Sequence, residues 1–284
     1  MRRPDSSPRL GIQLSSLGSG PPEPLLETAA AAGFSGVGLS SKETAEWIDS
    51  GLSCAELRRQ LHSRDLRADY LDPLMLWIGG SEPTFASLPG DRVLELASEL
   101  EVPLVNVTIG GHYDEAEAID AFASVAHRIT KAGMRPMIEF APFFAVSNLQ
   151  RAAFVVDRSE VPTAGILLDT WHLARSGGAP EDLEGVTAGS IHTVHLSDVP
   201  AEVPEDLLAE TMNGRLYPGE GVARVGEVIR RVETHSPGAI FTVEVYSPSL
   251  RGRDMDAFAR RCYDSARSLF TESTDVTGTT RRNR

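Results

Sequence analysis

The sequence predicts an α/β fold, a single-domain (β/α)8 TIM barrel, and three observations support that prediction. The chain has 284 residues, close to the roughly 250 residues typical of such barrels. Short apolar or alternating runs are each followed by a longer run with helical spacing, which is typical of successive βα units and a parallel sheet. No shift in composition and no long Pro- or Gly-rich linker divides the chain.

Eight short runs have the apolar or alternating pattern of β-strands. They are Arg9–Leu14, Gly36–Leu39, Arg67–Leu71, Leu104–Ile109, Met134–Phe140, Gly165–Asp169, Thr193–Ser197 and Ile240–Tyr246. Eight parallel strands are the number that a closed barrel of this type requires.

A stretch with helical spacing follows each predicted strand. The predicted helices are Glu23–Ala32, Thr44–Ser63, Asp91–Leu100, Glu115–Ala132, Ser147–Val156, Pro180–Gly189, Val222–Glu233 and Asp254–Phe270. Gly33 and Gly133 follow two of them directly, where glycine commonly ends a helix in a left-handed conformation. The last helix closes the barrel.

The two ends of the chain lack the pattern of the barrel. We expect disordered ends at residues 1–9 and 271–284, around one barrel domain at residues 10–270, because the tail is rich in Thr, Ser and Arg without periodicity. No signal sequence precedes the first strand, and no stretch approaches the roughly 20 apolar residues of a membrane span. Cys54 and Cys262 are too isolated for a disulfide framework or a zinc knuckle. A cytoplasmic protein without a membrane partner is therefore expected.

The charge balance bears on the class of partner. The formal net charge is -13, whereas nucleic-acid binding depends on clustered Lys and Arg that neutralise phosphates. We therefore expect no nucleic-acid partner and a small-molecule substrate. The longest irregular connection, Asp198–Gly221, follows the seventh strand and is expected to lie over the C-terminal mouth of the barrel, where active sites of this fold sit.

Polar residues interrupt the last four strands near their C-terminal ends. Burying a carboxylate or an imidazole in an apolar strand is costly without a partner, so these residues are candidate site residues. They are Glu139, Asp169, His195 and Glu244.

Strand alternation tests whether these side chains can converge, because residues two apart share a face. In the eighth strand Thr242, Glu244 and Tyr246 are expected to face inward. His192 and His195 are three apart and cannot both face the barrel interior. His195 is nearer the C-terminal end and is the predicted ligand, whereas His192 is expected to pack or to be solvated at the start of the strand.

Three carboxylates and one imidazole form a hard, mostly oxygen site. Such a site favours one divalent ion, Mn²⁺ first, with Mg²⁺ or Co²⁺ close behind and Zn²⁺ as second choice. A single acid at a strand end can equally be a structural ion pair or a cap. Four at the ends of successive strands favour a metal centre.

Four segments in order resemble the sugar phosphate isomerase/epimerase family, the xylose isomerase-like barrels, and the similarity extends from Gly11 to about Phe270. The most specific is Gly165-Ile-Leu-Leu-Asp-Thr-Trp-His-Leu-Ala-Arg-Ser-Gly177, which resembles the family's Asp-x-x-His element. The others are Val194-His-Leu-Ser-Asp198, Arg215-Leu-Tyr-Pro-Gly-Glu-Gly221 and Val243-Glu-Val245.

The resemblance implies roles for individual residues. It implies that His172 contacts a substrate oxygen and that Arg215 points to the substrate, although a helix-start histidine and a solvated loop arginine are the structural alternatives. Ala201 and Ala145 stand where ketose 3-epimerases have an arginine and a glutamate, which disfavours a free ketohexose as the substrate. The implied metal ligands are Glu139, Asp169, His195 and Glu244.

The function that this implies is a metal-dependent isomerase or epimerase acting on a small polyhydroxylated carbonyl compound. A divalent ion would stabilise the enediolate formed when a proton leaves the carbon beside the carbonyl, and Glu139 and Glu244 would be the catalytic base and acid on opposite faces. His112 and Asp72 are expected rim contacts with the substrate. Trp77 is either an apolar pocket wall or a contact with a second subunit, and a homodimer is possible.

Four other functions compete with this one. A dehydratase of the ketoinositol type is the nearest, because loss of a β-hydroxyl from the same intermediate is dehydration. A dehydroshikimate dehydratase fits less well, since those proteins place a glutamine where His195 stands. A DNA-repair endonuclease needs more histidines and a basic face. A non-catalytic sugar-sensing barrel would bind a polyol without turnover.

Overall fold

A computed structural model describes residues 9–81 and 87–275, with side chains described as far as Phe270. Eight parallel strands form a closed barrel in chain order, with helices between them, which confirms the predicted (β/α)8 fold. The strands are β1 (Leu10–Gln13), β2 (Gly36–Ser40), β3 (Arg67–Ile78), β4 (Leu104–Gly111), β5 (Arg135–Glu139), β6 (Gly165–Asp169), β7 (Ile191–Leu196) and β8 (Ile240–Val243).

Helices surround this barrel and close part of its mouth. They are α1 (Pro22–Ala32), α2 (Ser41–Asp49), α3 (Cys54–His62), α4 (Gly90–Glu99), α5 (Glu115–Lys131), α6 (Leu149–Arg158), α7 (Thr170–Arg175), α8 (Leu207–Asn213), α9 (Val225–His235), α10 (Pro248–Arg251) and α11 (Met255–Asp275). Among the described residues, no helix combines the length and the apolar character needed to span a lipid bilayer.

Several boundaries differ from the sequence-based expectation. The predicted helix Thr44–Ser63 is two helices, α2 and α3, because the chain turns between them at Gly51, whose φ of 110° is left-handed. The predicted helix Pro180–Gly189 is a short 3₁₀ helix, Pro180–Gly185. At the C-terminus, α11 continues to Asp275, beyond the predicted end at Phe270, and the remaining residues of both predicted disordered ends, 1–8 and 276–284, lie outside the described part of the chain.

Strand alternation divides the core into two layers. Outward residues of the strands, such as Val194 and Leu196 of β7, join the large apolar core beneath the helices. Inward residues form a second, smaller cluster that fills the lower barrel: Tyr70, Leu104, Met137 and Leu167. Because side chains alternate along a strand, the residue two positions after each of Met137 and Leu167 also faces the interior. The last four strands therefore carry their polar residues inward at the C-terminal end.

The long segment after β7 is folded over the mouth. Asp198 holds it, because its buried carboxylate accepts hydrogen bonds from the backbone N–H groups of Val199, Gly219 and Ala223 at 2.8–3.0 Å. Within the segment lies α8, which the sequence did not predict. Arg175 of α7 fixes α8 through a buried ion pair with Glu210, 2.6 Å between Nη2 and Oε1. The mouth is thus walled by ordered short helices.

Candidate metal centre and active site

The four polar residues at the ends of β5 to β8 meet at the mouth of the barrel. Glu139, Asp169, His195 and Glu244 each offer one potential ligand atom, and these atoms all lie within 4.8 Å of one another. Strand register explains the convergence: Asp169 pairs with His195 across β6 and β7, and the N–H of Glu244 donates to the Leu196 carbonyl at 3.0 Å, just beyond β8. All four side chains are buried.

Asp169 has two roles at once. Its Oδ1 caps α7, accepting hydrogen bonds from the backbone N–H groups of Trp171 at 2.6 Å and His172 at 3.1 Å. This leaves Oδ2 to face the site. The same cap explains the Asp-x-x-His spacing, because the third residue of a capped helix lies beside the capping side chain.

His172 accordingly lies over the site. Its Nε2 is 3.8 Å from Glu139 Oε1 and 3.9 Å from Asp169 Oδ2. Burial lowers the pKa of His172 to about 4, so the imidazole is neutral near neutral pH. A neutral imidazole in this position can donate one hydrogen bond to a bound molecule.

A hydrogen-bond chain fixes the orientation of His195. The Tyr70 hydroxyl donates to Gln13 Oε1 at 3.2 Å and lies 2.7 Å from His195 Nε2. Because the hydroxyl proton points to Gln13, the hydroxyl oxygen accepts from a protonated Nε2, which leaves Nδ1 as the nitrogen that faces the carboxylates. Nδ1 is 3.3 Å from Glu244 Oε2 and 3.6 Å from Glu139 Oε1.

The chain continues from Gln13 to Glu139. Gln13 Nε2 donates to Asp72 Oδ2 at 3.3 Å, and Asn106 Nδ2 donates both to Asp72 Oδ1 at 2.6 Å and to Glu139 Oε2 at 2.8 Å. All of these side chains are buried. Two ligand candidates, His195 and Glu139, are therefore held by one continuous set of hydrogen bonds, hereafter the orienting network.

Arg215 is buried against the same site. Its Nη1 donates to Asp169 Oδ2 at 2.6 Å and to Glu244 Oε2 at 2.9 Å, while Nε and Nη2 donate to the backbone oxygen and the hydroxyl of Thr211. The predicted alternative of a solvated loop arginine is wrong, because Arg215 is only 2 % exposed. Its direct contact with a substrate stays a prediction.

The pKa values of the site carboxyls diverge. Burial, with the nearby carboxylate of Asp72, raises the pKa of Glu139 well above its usual value. Burial also disfavours ionisation of Glu244, but His195 and Arg215 outweigh that effect and lower its pKa. Burial raises the pKa of Asp72 to about 6. The pocket therefore holds more carboxyl groups than cationic side chains, and burial beside the other carboxylates favours the protonated forms of Glu139 and Asp72.

These residues fit a divalent cation. His195 Nδ1 is a buried nitrogen without a hydrogen-bond partner among the described residues, and it faces three carboxylates, of Glu139, Asp169 and Glu244. A cation bound there would give His195 Nδ1 a partner and would neutralise charge on the three carboxylates. One nitrogen and three carboxylate oxygens suit Mn²⁺, Mg²⁺, Co²⁺ or Zn²⁺.

A cavity of about 210 Å³ opens above the four residues and is lined by Glu139, His172, Arg215 and Glu244 among others. It is the size of a small-molecule site, holding roughly seven waters at ~30 Å³ each. A larger cavity of about 660 Å³ lies at the opposite end of the barrel, lined by strand beginnings such as Arg67, and contains none of the four candidate ligands. The candidate ligands Glu139 and Glu244 therefore open onto the smaller cavity.

The remaining predicted contacts lie at varying distances from the site. Asp72 lines the cavity, but it is not a rim residue after β3, because β3 continues to Ile78. His112 follows β4 and is not among the residues lining the cavity, so its role as a substrate contact stays a prediction. His192 is buried at the start of β7 with its ring against Gly165.

Sequence reasoning missed Gln13, Tyr70 and Asn106. Gln13 is a polar residue at the C-terminal end of the apolar strand β1, so the criterion that gave the four ligand candidates would have found it. Asn106 also interrupts an apolar strand, but it is only the third residue of β4 and does not meet that criterion. Tyr70 was less visible, because an aromatic residue in a strand is ordinary. Gly38 is part of the same arrangement: a Cβ there would lie 2.1 Å from Gln13 Oε1 and from the Tyr70 hydroxyl.

Two curated relatives are similar in sequence. Both are 3-dehydroshikimate dehydratases. That of Pseudomonas putida is 26% identical over 205 residues, 69% of this chain and 31% of its own, and that of Pseudomonas aeruginosa is 25% identical over 253 residues, 86% of this chain and 38% of its own. The chain thus spans about a third of the length of these relatives.

Solved structures share the fold. The IOLI protein, solved with a bound zinc atom, superposes with a TM-score of 0.78 at 15% identity, covering 93% of this chain and 98% of that one. D-allulose 3-epimerase from Methylomonas superposes with a TM-score of 0.70 at 14% identity, covering 93% and 97%. The model of one family, the xylose isomerase-like TIM barrel, matches residues 26–263. The chain belongs to the xylose isomerase-like TIM barrel family.

Proposed function

We propose that this protein is a divalent-metal-dependent isomerase or epimerase that moves a proton next to the carbonyl of a small polyhydroxylated compound. One observation carries the proposal: Glu139, at the end of β5, and Glu244, just after the non-adjacent strand β8, line the same cavity, with carboxylate oxygens 3.6 and 3.3 Å from His195 Nδ1. Two carboxylates that flank one cavity can remove a proton from one face of a substrate and return it to another.

Glu139, Asp169, His195 and Glu244 would hold the ion, with Mn²⁺ as the first choice and Mg²⁺, Co²⁺ or Zn²⁺ as the alternatives. The ion supplies a Lewis acid that makes the proton beside a carbonyl more acidic. Glu139 and Glu244 transfer the proton, one as base and the other as acid. His172 donates a hydrogen bond from Nε2 to a substrate oxygen, and Arg215 holds Asp169 and Glu244 in place.

Return of the proton to the same carbon on the opposite face inverts that centre and gives an epimer. Return to the neighbouring carbon, together with transfer of the hydroxyl proton to the former carbonyl oxygen, moves the carbonyl and gives an isomer. Both outcomes use the same two carboxylates, so the position of the substrate over Glu139 and Glu244 selects between them.

The test is proton exchange from deuterated water. The Mn²⁺-loaded protein is incubated with ketoses, inososes and keto acids, and NMR follows loss of the proton beside the carbonyl. Glu244→Gln should keep the fold and lose the exchange, whereas Glu46→Gln, on the exposed face of α2, should exchange like the parent protein. Unimpaired exchange by Glu244→Gln would remove that residue from the proposed role.

A dehydratase is the second candidate, favoured by the two relatives that are 3-dehydroshikimate dehydratases. In this reaction the carbanion formed by proton loss expels a β-hydroxyl instead of taking the proton back. Product analysis separates the two candidates. A dehydrated product has lost the mass of water and gains ultraviolet absorbance from the new double bond, whereas an epimer or isomer keeps the mass of the substrate.

A further inference from the structure

Negative charge dominates the cavity of the proposed active site. Asp72, Glu139 and Glu244 line it, and Asp169 lies fully buried beside them. A divalent ion leaves one negative charge of its three carboxylate ligands uncompensated. Arg215 offsets that charge and Asp72 adds another, so the surroundings of a bound molecule are negative, or neutral when Asp72 is protonated.

Arg215 is not free to bind an anion in the usual way. Planar carboxylates and phosphates are bound by paired N–H donors of a guanidinium group. Here Nη1 donates to Asp169 and Glu244, and both Nε and one N–H of Nη2 donate to Thr211. A single Nη2 N–H remains, which is suited to one hydroxyl oxygen and not to a bidentate anion.

The rest of the cavity wall offers no replacement cation. Among the described residues, Arg215 is the one lysine or arginine that lines the cavity. Thr108, Thr211 and Tyr246 also line it. The Thr211 hydroxyl accepts from Arg215 and the Tyr246 hydroxyl pairs with Ser15, which leaves each of these two hydroxyls further hydrogen-bonding capacity for a substrate hydroxyl. The other side of the wall is apolar: Pro73, Met75, Phe143, Phe144, Leu208 and Met212.

We infer that the substrate is an uncharged polyhydroxylated carbonyl compound, and that the site discriminates against carboxylates and phosphates. The inference rests on the proposed function, because it assigns the substrate class of the same cavity. An uncharged molecule can place its hydroxyls on Thr108, Thr211 and the free N–H of Arg215, and its C–H face on the apolar wall. With a divalent ion bound, an anion would enter a site without surplus positive charge, and no lysine or unoccupied guanidinium pair on the described wall would replace its hydration.

The test compares pairs of ligands that share a ring skeleton, differ in charge and lack the reactive carbonyl. Calorimetry with the Mn²⁺-loaded protein measures the Kd of methyl shikimate against shikimate, and of inositol against inositol 1-phosphate. The neutral member of each pair should bind at least about tenfold more tightly, because like charges in a partly desolvated site repel by more than the ~1.4 kcal/mol of a tenfold change. Equal or tighter binding of the anion, or no binding of either neutral ligand, overturns the inference.

A variant should reverse the preference. Met75→Lys places a cation on the cavity wall and should strengthen shikimate binding at least about tenfold, while Met75→Gln, of similar length and uncharged, should keep the parent preference. Leu208→Lys and Leu208→Gln form a second pair on the partly exposed helix α8, where folding is less at risk. No gain of anion binding in either lysine variant that folds also overturns the inference.

Failure of the proposed function gives a different result. If the neutral ligands bind preferentially but no carbonyl compound exchanges its proton in deuterated water, the substrate class stands and the proton-transfer role of Glu139 and Glu244 is wrong. If exchange occurs best with a carboxylate or a phosphate, the proton transfer stands and the charge selectivity is wrong.

Discussion

Tyr70→Phe removes a single hydroxyl from the centre of the orienting network. The residue is fully buried, and its hydroxyl is 2.7 Å from His195 Nε2 and 3.2 Å from Gln13 Oε1. The phenyl ring of the variant fills the same space, so the change tests the hydrogen bonds and leaves packing intact. His195 Nε2, the donor, and Gln13 Oε1, the acceptor, each lose a hydrogen bond inside the barrel.

The size of the effect follows from those two bonds. A buried polar group left without a partner costs about 1–3 kcal/mol, so for two such groups we expect the free energy of unfolding to fall by roughly 2–6 kcal/mol. Removing the group that orients a metal-ligating histidine typically weakens metal binding by about 10–100-fold. We expect the Kd for Mn²⁺ to rise within that range, because His195 can rotate and present the wrong nitrogen to the site.

Isothermal titration with Mn²⁺ gives the Kd, and urea unfolding gives the stability. Tyr217→Phe is the matched control: Tyr217 is also buried but packs against Phe258 outside the barrel, with ring centroids 5.7 Å apart, and its substitution should leave the Kd unchanged. A parent-like Mn²⁺ affinity in Tyr70→Phe would refute the role of the network in orienting His195.

Four further predictions follow from the site and its supports. Burial disfavours a charged imidazole, but Glu244 and other carboxylates outweigh it and raise the pKa of His195 to about 9. Below that pH, Mn²⁺ binding should release at least one proton and should tighten as pH rises, seen by calorimetry in buffers of different ionisation enthalpy; no proton release at pH 7 would contradict this. The raised pKa of His195 stabilises the folded, metal-free protein fully at pH values below the unfolded-state pKa of about 6.5. This stabilisation should be lost as the pH rises from about 6.5 through about 9. A urea midpoint that stays constant across this pH range would contradict the raised pKa. Asp198→Ala should remove three charge-assisted hydrogen bonds of roughly 1.5–3 kcal/mol each before the structure relaxes, and should speed amide hydrogen exchange at Gly219 and Ala223. Unchanged exchange at these two amides would show that Asp198 does not hold the segment after β7 in place. Gly38→Ala should displace the Tyr70 hydroxyl and weaken Mn²⁺ binding as Tyr70→Phe does, and a parent-like Kd would show that the network tolerates the extra methyl group.

The candidate ligands were predictable because each depends on one strand only. The apolar alternation of the eighth strand shows which of its residues face inward, and a position near the end of the strand lies at the mouth of the barrel. Glu244 can therefore be placed at the mouth without information from the other strands. The register of neighbouring parallel strands then brings such residues together. His172 was identified through the Asp-x-x-His element that the family resemblance implies, and the structure adds the physical reason for that spacing, which is the cap that Asp169 places on α7.

The orienting network was not predictable in the same way. Its bonds join residues far apart in sequence, such as Tyr70 and His195, which are separated by 125 positions, and no local pattern encodes which polar residues will meet. The helix α8 was missed for a related reason. It has only 7 residues, too few to be stable alone, and the tertiary ion pair between Arg175 and Glu210 helps to hold it.

The apolar cluster of Tyr70, Leu104, Met137 and Leu167 is a plug beneath the four ligand candidates. Molecules that enter from the mouth meet a dead end there, so the proposed ion would lie at the bottom and the proposed substrate above it. Loading would then be sequential, with the ion entering first and the substrate blocking its exit. Chelators should strip the ion slowly from the ligand-saturated protein and quickly from the protein without ligand.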